Sequence, residues 1–577
     1  MDSSYLNTLL EQSNVGDPRV IHARAIRTAA ADRCLHHRLI TLYSKLPGLL
    51  PYSGRLFFTQ IPFPNVVSWT SLISAHSASP AALRHFVSML RQPTLPNHRT
   101  LPSLLRTCAA LLCTHFGLSL HSLSVKLGLS SEPFTGSALL NFYFKCRSPR
   151  DALGVFDEML DRDEVCYSAA IVGLAQNSRP VDALSVFAEM RRGEIGSTIY
   201  SISGALRAAS EMAAMDQCGI IHSHAVVTGF DQNVVVASAL IDGYGKSGLV
   251  LEARRVFDEN LPIMNMVGWN AMMSGYAQQG DIEPVMELLH KMEGGGFVPD
   301  GYTFLAILSA CYNSASSAED VERWIARMRA DYGLEPGLEH YTCLISAMAR
   351  AGRLEDAKRL ALAMPFEPDA AVWRSILMAC RHLGDADKAR EMAKRLLELN
   401  PSDDSAYVIA SNALSTAGEW DEVAEVRKAM KDRRVRKEVG QSWVETRGRV
   451  HVFMAGDRRH ERRGEIYAKL EELMSAIEQL GYEPIMDEMV HHESVVEAEK
   501  RERLQHHSEK LAAAFGLLEG VTPPGKALRI VKNLRICRDC HEVFMYISRV
   551  ADREIIVRDA NRYHRFSGGV CTCRDFW

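Results

Sequence analysis

The sequence predicts a mostly α chain of two modules: an α-solenoid of helical hairpins over its first two thirds, then a small α/β module at its C-terminal end. Three observations carry this expectation. Segments recur, since Val66-Val67-Ser68-Trp69-Thr70-Ser71-Leu72-Ile73 overlays Met266-Val267-Gly268-Trp269-Asn270-Ala271-Met272-Met273, and offsets between equivalents are multiples of roughly 31 to 37 residues, a solenoid period. Each unit carries two apolar stretches at helical spacing, as in Ser238-Ala239-Leu240-Ile241-Asp242-Gly243-Tyr244 and Leu251-Glu252-Ala253-Arg254-Arg255-Val256-Phe257, with Lys246-Ser247-Gly248 as the turn between them. Four cysteines and three histidines then crowd near the C-terminal end, after the periodicity has stopped.

Composition bounds the rest. A chain of 577 residues is several domains or an array. No apolar run approaches the roughly 20 residues that cross a bilayer, so a soluble protein with no membrane partner is expected. Nine of the thirteen cysteines are scattered singly through helical segments and no secretory leader precedes them, which favours a reducing interior over a disulfide framework. The formal net charge of -4 gives no bulk basic excess for nucleic acid, so any RNA contact must rest on base edges and local basic grooves. The first eighteen residues hold Asp2, Glu11 and Asp17 and no Lys or Arg, opposite to a transit peptide. Either import uses an atypical leader or the natural N-terminus lies upstream.

A lone hairpin cannot bury both faces, so neighbours must stack and share a core, and nearly all the Trp, Tyr and Phe of the array are expected there. Laid end to end, the units fall at 33–65, 66–97, 98–132, 133–163, 164–198, 199–233, 234–265, 266–300, 301–337 and 338–369. A partial unit at 20–32 and a short segment at 1–19 precede them.

These units resemble pentatricopeptide repeats of the class that alternates standard, long and short motifs. Ala253-Arg254-Arg255-Val256-Phe257-Asp258-Glu259 is close to the short pattern, and Tyr302-Thr303-Phe304-Leu305-Ala306-Ile307-Leu308-Ser309-Ala310-Cys311 to the long one. The resemblance implies a right-handed solenoid over residues 20–369 that binds single-stranded RNA, one base per repeat, through the fifth and last residues of each unit. A terminal Asp accepts from G or U, and a terminal Asn suits A or C. On that rule Thr70 with Asn97 implies A, Ser137 with Asp163 G, Ser238 with Asn265 A, Asn270 with Asp300 U, and Thr342 with Asp369 G. Ser168 with Thr198 and His37 with Asn65 depart from the usual pairs and stay unassigned. The competing reading of each pair is a polar residue capping a helix start; five pairs in one register favour base reading.

From Ala370 the pattern loosens into two further hairpins, expected over 370–438, which resemble the extension motifs that follow the last short repeat. They either cap the stack or dock accessory proteins. Lys431, Arg433, Arg434, Arg436 and Lys437 then form a basic hinge.

In the last module, expected at 439–577, His507-Ser508-Glu509 and Cys537-Arg538-Asp539-Cys540 place one histidine, a Cys-x-x-Cys pair and a glutamate at zinc-deaminase spacing. His507, Cys537 and Cys540 can hold one zinc with a fourth position open for water, while Glu509 moves protons. Gly481-Tyr482-Glu483-Pro484, Lys532-Asn533-Leu534-Arg535-Ile536-Cys537 and Cys571-Thr572-Cys573 resemble the DYW domain, with Asp575-Phe576-Trp577 replacing its usual last three residues. A second set, His541, His564, Cys571 and Cys573, offers four ligands for a closed, structural zinc. Ile555, Ile556 and Val557 read as a strand followed by a turn, with Arg549, Arg553, Arg558, Arg562 and Arg565 expected along the RNA path.

The resemblance implies zinc-dependent cytidine deamination of RNA, C-to-U editing of a plant organellar transcript, in the mitochondrion or else the chloroplast. The expected bases are A, G, A, U and G at the twelfth, tenth, seventh, sixth and fourth positions before the edited C. Small accessory editing factors or other repeat proteins are candidate partners. A non-catalytic factor that recruits other editing or processing proteins is the alternative reading. A protein-binding helical scaffold is a third, against which the polar pairs in register speak.

Overall fold

The computed structural model describes residues 18–27, 33–46, 48–314, 316–416, 418–446, 448–485, 497–519, 527–560 and 562–573. The acidic first seventeen residues, the end of the partial unit at 20–32 and the terminal Asp575-Phe576-Trp577 lie outside them. Two compact units make up the chain, 1–208 and 209–577.

In the first unit α1 (Pro18–Arg27) precedes the hairpins α2 (Arg33–Lys45) with α3 (Leu50–Gln60), α4 (Val66–Ala75) with α5 (Pro80–Arg91), and α6 (Thr100–Leu111) with α7 (Thr114–Lys126). Then come α8 (Pro133–Lys145) with α9 (Pro149–Glu158), and α10 (Glu164–Gln176) with α11 (Pro180–Arg192). The first helices stack on one another, α4 on α6, α6 on α8 and α8 on α10, and the second helices cover them. Trp69, Leu72 and Ile73 of α4 and Leu101, Leu104 and Leu105 of α6 are buried, so the apolar stripes do form a shared core.

The boundary between the units falls within α12 (Ile199–Glu211), and the second unit goes on with α13 (Met215–Thr228), α14 (Val234–Lys246) with α15 (Val250–Glu259), and α16 (Met266–Gln279) with α17 (Ile282–Gly294). After these come α18 (Gly301–Asn313) with α19 (Ala318–Ala330), α20 (Leu338–Arg350) with α21 (Leu354–Ala363), α22 (Ala370–Leu383) with α23 (Ala386–Leu399), and α24 (Asp404–Thr416) with α25 (Trp420–Asp432). The α14–α15 hairpin shows why these residues fold so. Ala253, Val256 and Phe257 fall at i, i+3 and i+4 and are buried. Gly248 takes the left-handed conformation of the turn at φ 73°. Helices α14 and α16 approach closely at Gly245 and Gly275, where an added Cβ at Gly245 would lie 3.1 Å from the Gly275 Cα. The basic hinge residues Lys431, Arg433, Arg434, Arg436 and Lys437 are exposed.

The C-terminal module is a six-stranded sheet in the order β2-β1-β3-β4-β5-β6, formed by β1 (Gln441–Thr446), β2 (Arg449–Met454), β3 (Leu528–Lys532), β4 (Ile555–Arg558), β5 (Tyr563–Ser567) and β6 (Val570–Cys571). Only β3 and β4 pair in parallel; α29 (Arg538–Val550) makes the crossover between them, as a parallel pair requires. Helices α26 (Arg463–Gln479), α27 (Glu497–Gln505) and α28 (Ser508–Leu518) complete the module. Leu470, Ile477, Leu511, Phe515, Ile530, Phe544, Val557 and Phe566 form its core. No described helix is long and apolar enough to cross a membrane.

One expectation needs correction. Phe134, Tyr200 and Tyr302 are not core residues but exposed ones. Arg558 has a second role besides the one expected: its Nη1 donates to the Ser210 carbonyl at 3.3 Å, at the end of α12, where free carbonyls attract a cation.

Candidate metal centres and nucleotide-reading face

Two helix starts build the first cluster. His507 is the N-cap of α28 and Cys537 the N-cap of α29, its Sγ accepting from the Cys540 backbone N–H at 3.4 Å. A helix start gathers unpaired N–H groups and the positive end of the dipole, which favours thiolate over thiol. The His507 Nδ1 stands 3.5 Å from the Cys537 Sγ and 3.4 Å from the Cys540 Sγ. The ligand atoms of His507, Glu509, Cys537 and Cys540 all lie within 4.8 Å of one another. Hydrogen bonding from Cys540 and the nearness of His507 bring Cys537 down to about 6 against the opposing effect of burial. One imidazole and two closely set sulfurs, with the thiolate favoured, fit a zinc ion.

Glu509 is fully buried beside them. Its Oε1 is ion-paired with Lys532, which lies at the end of β3, and its Oε2 accepts from the Ser508 hydroxyl at 3.0 Å. Burial pushes its carboxyl up, but the Lys532 ammonium and His507 outweigh this and hold it at about 2. It therefore stands ionised at neutral pH, as a proton acceptor must.

The second cluster joins His541 of α29, His564 of β5, Cys571 of β6 and Cys573, again with all ligand atoms within 4.8 Å. His541 Nε2 is 3.2 Å from the Cys573 Sγ, and His564 Nδ1 is 3.8 Å from the Cys571 Sγ. The other ring nitrogen of His564 faces the Asp559 carboxylate at 3.4 Å, an arrangement that orients metal-binding histidines. Cys571 bonding to Cys573, together with the two imidazoles, brings Cys573 down to about 2. All four residues are buried, whereas His507 and Cys537 of the first cluster are partly exposed. The second cluster is thus wholly enclosed, and the first reaches solvent.

Sequence spacing missed what holds the first cluster together. Asp539, between the two cysteines, accepts from the Tyr482 hydroxyl at 2.6 Å and from the Ile485 N–H at 3.0 Å. Asp559 accepts from the Ile536 N–H at 3.2 Å, which ties the second cluster to the residue before Cys537.

Along the first unit, the last residue of each reading unit caps the next helix. The Asp163 Oδ1 accepts from the Cys166 N–H at 2.9 Å, the Asn97 Oδ1 from the Arg99 and Thr100 amides, and the Thr198 hydroxyl from the Ser201 N–H. The fifth residues sit one turn in: Thr70 is bonded to Thr100, and Ser168 is buried and bonded to Thr198 at 2.8 Å. Ser137 bonds only the Phe134 carbonyl among the described residues. His37 Nε2 is bonded to Ser68.

In the second unit Asn265, Asp300 and Asp369 cap α16, α18 and α22. Asn270 Nδ2 donates to the Asp300 Oδ1 at 3.0 Å, so that one pair is brought into direct contact. Ser238 and Thr342 turn their hydroxyls to the carbonyls four residues before them. Each capping Asp or Asn named here uses its Oδ1 and leaves its second polar atom, Oδ2 or Nδ2, out of the cap.

A further row had no counterpart in the expectations. Val67, Phe134, Val165 and Tyr200 in the first unit, and Val235, Val267 and Tyr302 in the second, are each 46–74% exposed. Each is the second residue of its repeat and lies three positions before the fifth. An apolar residue kept at a solvent-facing position in successive repeats is the signal that could have revealed the row.

Family models match the chain as PPR repeat at 137–163, 165–195, 235–259 and 339–365, as PPR repeat family at 264–313, as E motif at 384–445, and as the DYW family of nucleic acid deaminases at 481–577. From Arabidopsis thaliana, the mitochondrial pentatricopeptide repeat-containing protein At2g03880 is 38% identical over 93% of this chain and 84% of its own length. The chloroplastic At3g49170 is 33% identical over 100% and 68%. The chain spans only 56% of the length of At4g33170, to which it is 35% identical over 96% of its own, and 63% of a further relative. Among solved structures, the pentatricopeptide repeat protein PPR10 in complex with an 18-nt psaJ RNA element shares the fold, with a TM-score of 0.56 and 19% identity over 75% of this chain and 65% of that one.

Proposed function

The chain belongs to the pentatricopeptide-repeat family, and from that membership we propose that it binds single-stranded organellar RNA sequence-specifically and converts one cytidine to uridine by zinc-dependent hydrolytic deamination. The observation that supports this most strongly is the buried Glu509 carboxylate, ion-paired with Lys532, beside one imidazole and two thiols, a cluster that reaches solvent at His507 and Cys537. A closed structural knot has no use for a carboxylate held there.

His507, Cys537 and Cys540 would hold the catalytic zinc, and His541, His564, Cys571 and Cys573 a structural one. When bound, the first zinc supplies the Lewis acidity that makes water nucleophilic near neutral pH. Glu509 would take one proton from the attacking water and pass it to the cytosine N3, then take the second from the new C4 hydroxyl and pass it to the amine, which leaves as ammonia. Lys532 and Ser508 fix the two oxygens of that carboxylate, so it meets the base in one orientation. Attack at C4 and loss of ammonia give uracil.

The repeats select the base. The pairs Thr70/Asn97, Ser137/Asp163, Ser238/Asn265, Asn270/Asp300 and Thr342/Asp369 read base edges, and the exposed row from Val67 to Tyr302 supplies apolar faces on which bases stack. An unpaired cytidine needs no costly extrusion, which suits a single-strand binder. Mitochondrial and chloroplastic names among the relatives support an organelle as the site of action.

Zinc-loaded protein mixed with an RNA bearing A, G, A, U and G at the stated positions should convert the C four nucleotides after the last read base. Exchanging the U and the G for other bases should weaken binding at least tenfold. Unchanged affinity would contradict the reading.

A further inference from the structure

The C-terminal module is held against the ends of three repeat helices of its own unit by hydrogen bonds to the backbone groups those ends leave unpaired. At the start of α13 the Glu445 carboxyl oxygens accept from the Asp216 and Gln217 backbone amides at 2.7 and 2.9 Å, supplying from β1 the acceptors that the helix start lacks. Gln217 Nε2 and Gly448 N complete a reciprocal pair, donating to the Gly448 carbonyl at 2.6 Å and to the Asp216 Oδ2 at 3.1 Å. At the opposite pole, Arg529 Nη1 donates to the Ser247 carbonyl at 3.0 Å and the Tyr563 hydroxyl donates to the Lys246 carbonyl, both at the end of α14. Arg558 does the same at the end of α12, and Trp443 Nε1 donates to the Met212 carbonyl at 2.6 Å. Acceptors meet the helix start and donors meet the helix ends. Gly248 allows the approach, since a Cβ there would lie 2.6 Å from Arg529.

This seam leaves the reading face open. On α14 the fifth-position Ser238 stands nine residues before Ser247, about 14 Å along the axis at 1.5 Å per residue. With the module seated, Val235 and Val267 remain 46% and 63% exposed, and Asn265 is exposed. One rigid helix therefore carries a base-reading residue near its start and the module's seat at its end. β3 in turn carries Arg529 of the seam and, three residues later, Lys532 against Glu509.

We infer that Glu445 and Arg529 are positioning residues: the seam fixes the distance between the nucleotide-reading row and the His507–Cys537–Cys540 cluster, and so decides which nucleotide reaches it. The inference rests on the proposed RNA-binding function but not on catalysis.

The test uses the full chain as wild type, Glu445→Ala and Arg529→Ala. The probe is a single-stranded RNA carrying the five expected bases, with 4-thiouridine at the target position or at each flanking position. Expected in both variants are RNA affinity within threefold of wild type, unchanged zinc content, and at least a fivefold loss of the photo-crosslink between the target position and peptides 497–519 and 527–560. In Glu445→Ala, hydrogen exchange at 214–217 should also rise at least tenfold. Glu445→Gln, which keeps an acceptor for the amides, should restore most of the crosslink. An undiminished crosslink at the target position, or unaltered exchange at 214–217, would overturn the inference. A focused wild-type crosslink with no cytidine conversion would instead sink only the proposed chemistry.

Discussion

The Lys510 Nζ lies 2.7 Å from the Asp539 Oδ2, with side-chain exposures of 0% and 2%. This ion pair clamps the start of α28, one residue after Glu509, to the start of α29, between Cys537 and Cys540. A second bond runs from the Lys510 Nζ to the Leu504 carbonyl at 3.0 Å. Breaking a buried pair from one side leaves an uncompensated charge, which costs about 3–5 kcal/mol. Asp539→Ala should therefore destabilise the C-terminal module by about that amount and lower its zinc content, as read by denaturant unfolding and metal analysis. Tyr482→Phe, which removes one hydrogen bond to the same carboxylate, should cost only about 1–2 kcal/mol.

Base choice is open to redesign at Asn270. Its side chain touches Asp300, and the family pattern assigns this pair to U. Asn270→Thr makes the pair resemble Thr342 with Asp369, so the preferred base at the sixth position before the edited C should change from U to G. The discrimination should be about 1–3 kcal/mol, the range of one well-matched base contact. Competition binding with the two RNAs measures it.

Acidity should tighten the seam between β1 and α13. Burial raises Glu445 to about 7, with the nearby Asp216 carboxylate adding to the effect and the backbone amides opposing it. A carboxyl whose folded value lies above its unfolded one binds protons more tightly when folded. Its contribution is therefore full below about 4.5 and lost as pH rises through about 7. Protection of the 214–217 amides, corrected for intrinsic exchange, should be greater at pH 5.5 than at pH 8 in the wild type. The difference should vanish in Glu445→Gln.

The hairpins were legible because the apolar period is written into each unit, and because Ala253, Val256 and Phe257 have no other way to leave water. Both metal-ligand groupings were legible too, since Cys and His at such spacings have few other uses. Lys532 against Glu509, Tyr482 against Asp539 and Glu445 against Asp216 were not, for they join residues 23, 57 and 229 positions apart. Nothing in local spacing marks such partners. The exposed row from Val67 to Tyr302 was hidden for a different reason: an apolar residue within a helix reads as core until burial shows which face it occupies. The bond from Arg558 to the end of α12 was hidden likewise, because a cation suits a helix carboxyl end as well as it suits phosphate.

The most direct test of the central claim is single-site conversion by the zinc-loaded full chain on the expected RNA, run beside Glu509→Ala and read by sequencing the product. The wild type should turn one C into U, and the variant should fall by at least a thousandfold with RNA affinity within threefold and zinc retained. Conversion that survives in Glu509→Ala, or a wild type that binds the RNA and zinc yet leaves every C intact, would contradict it.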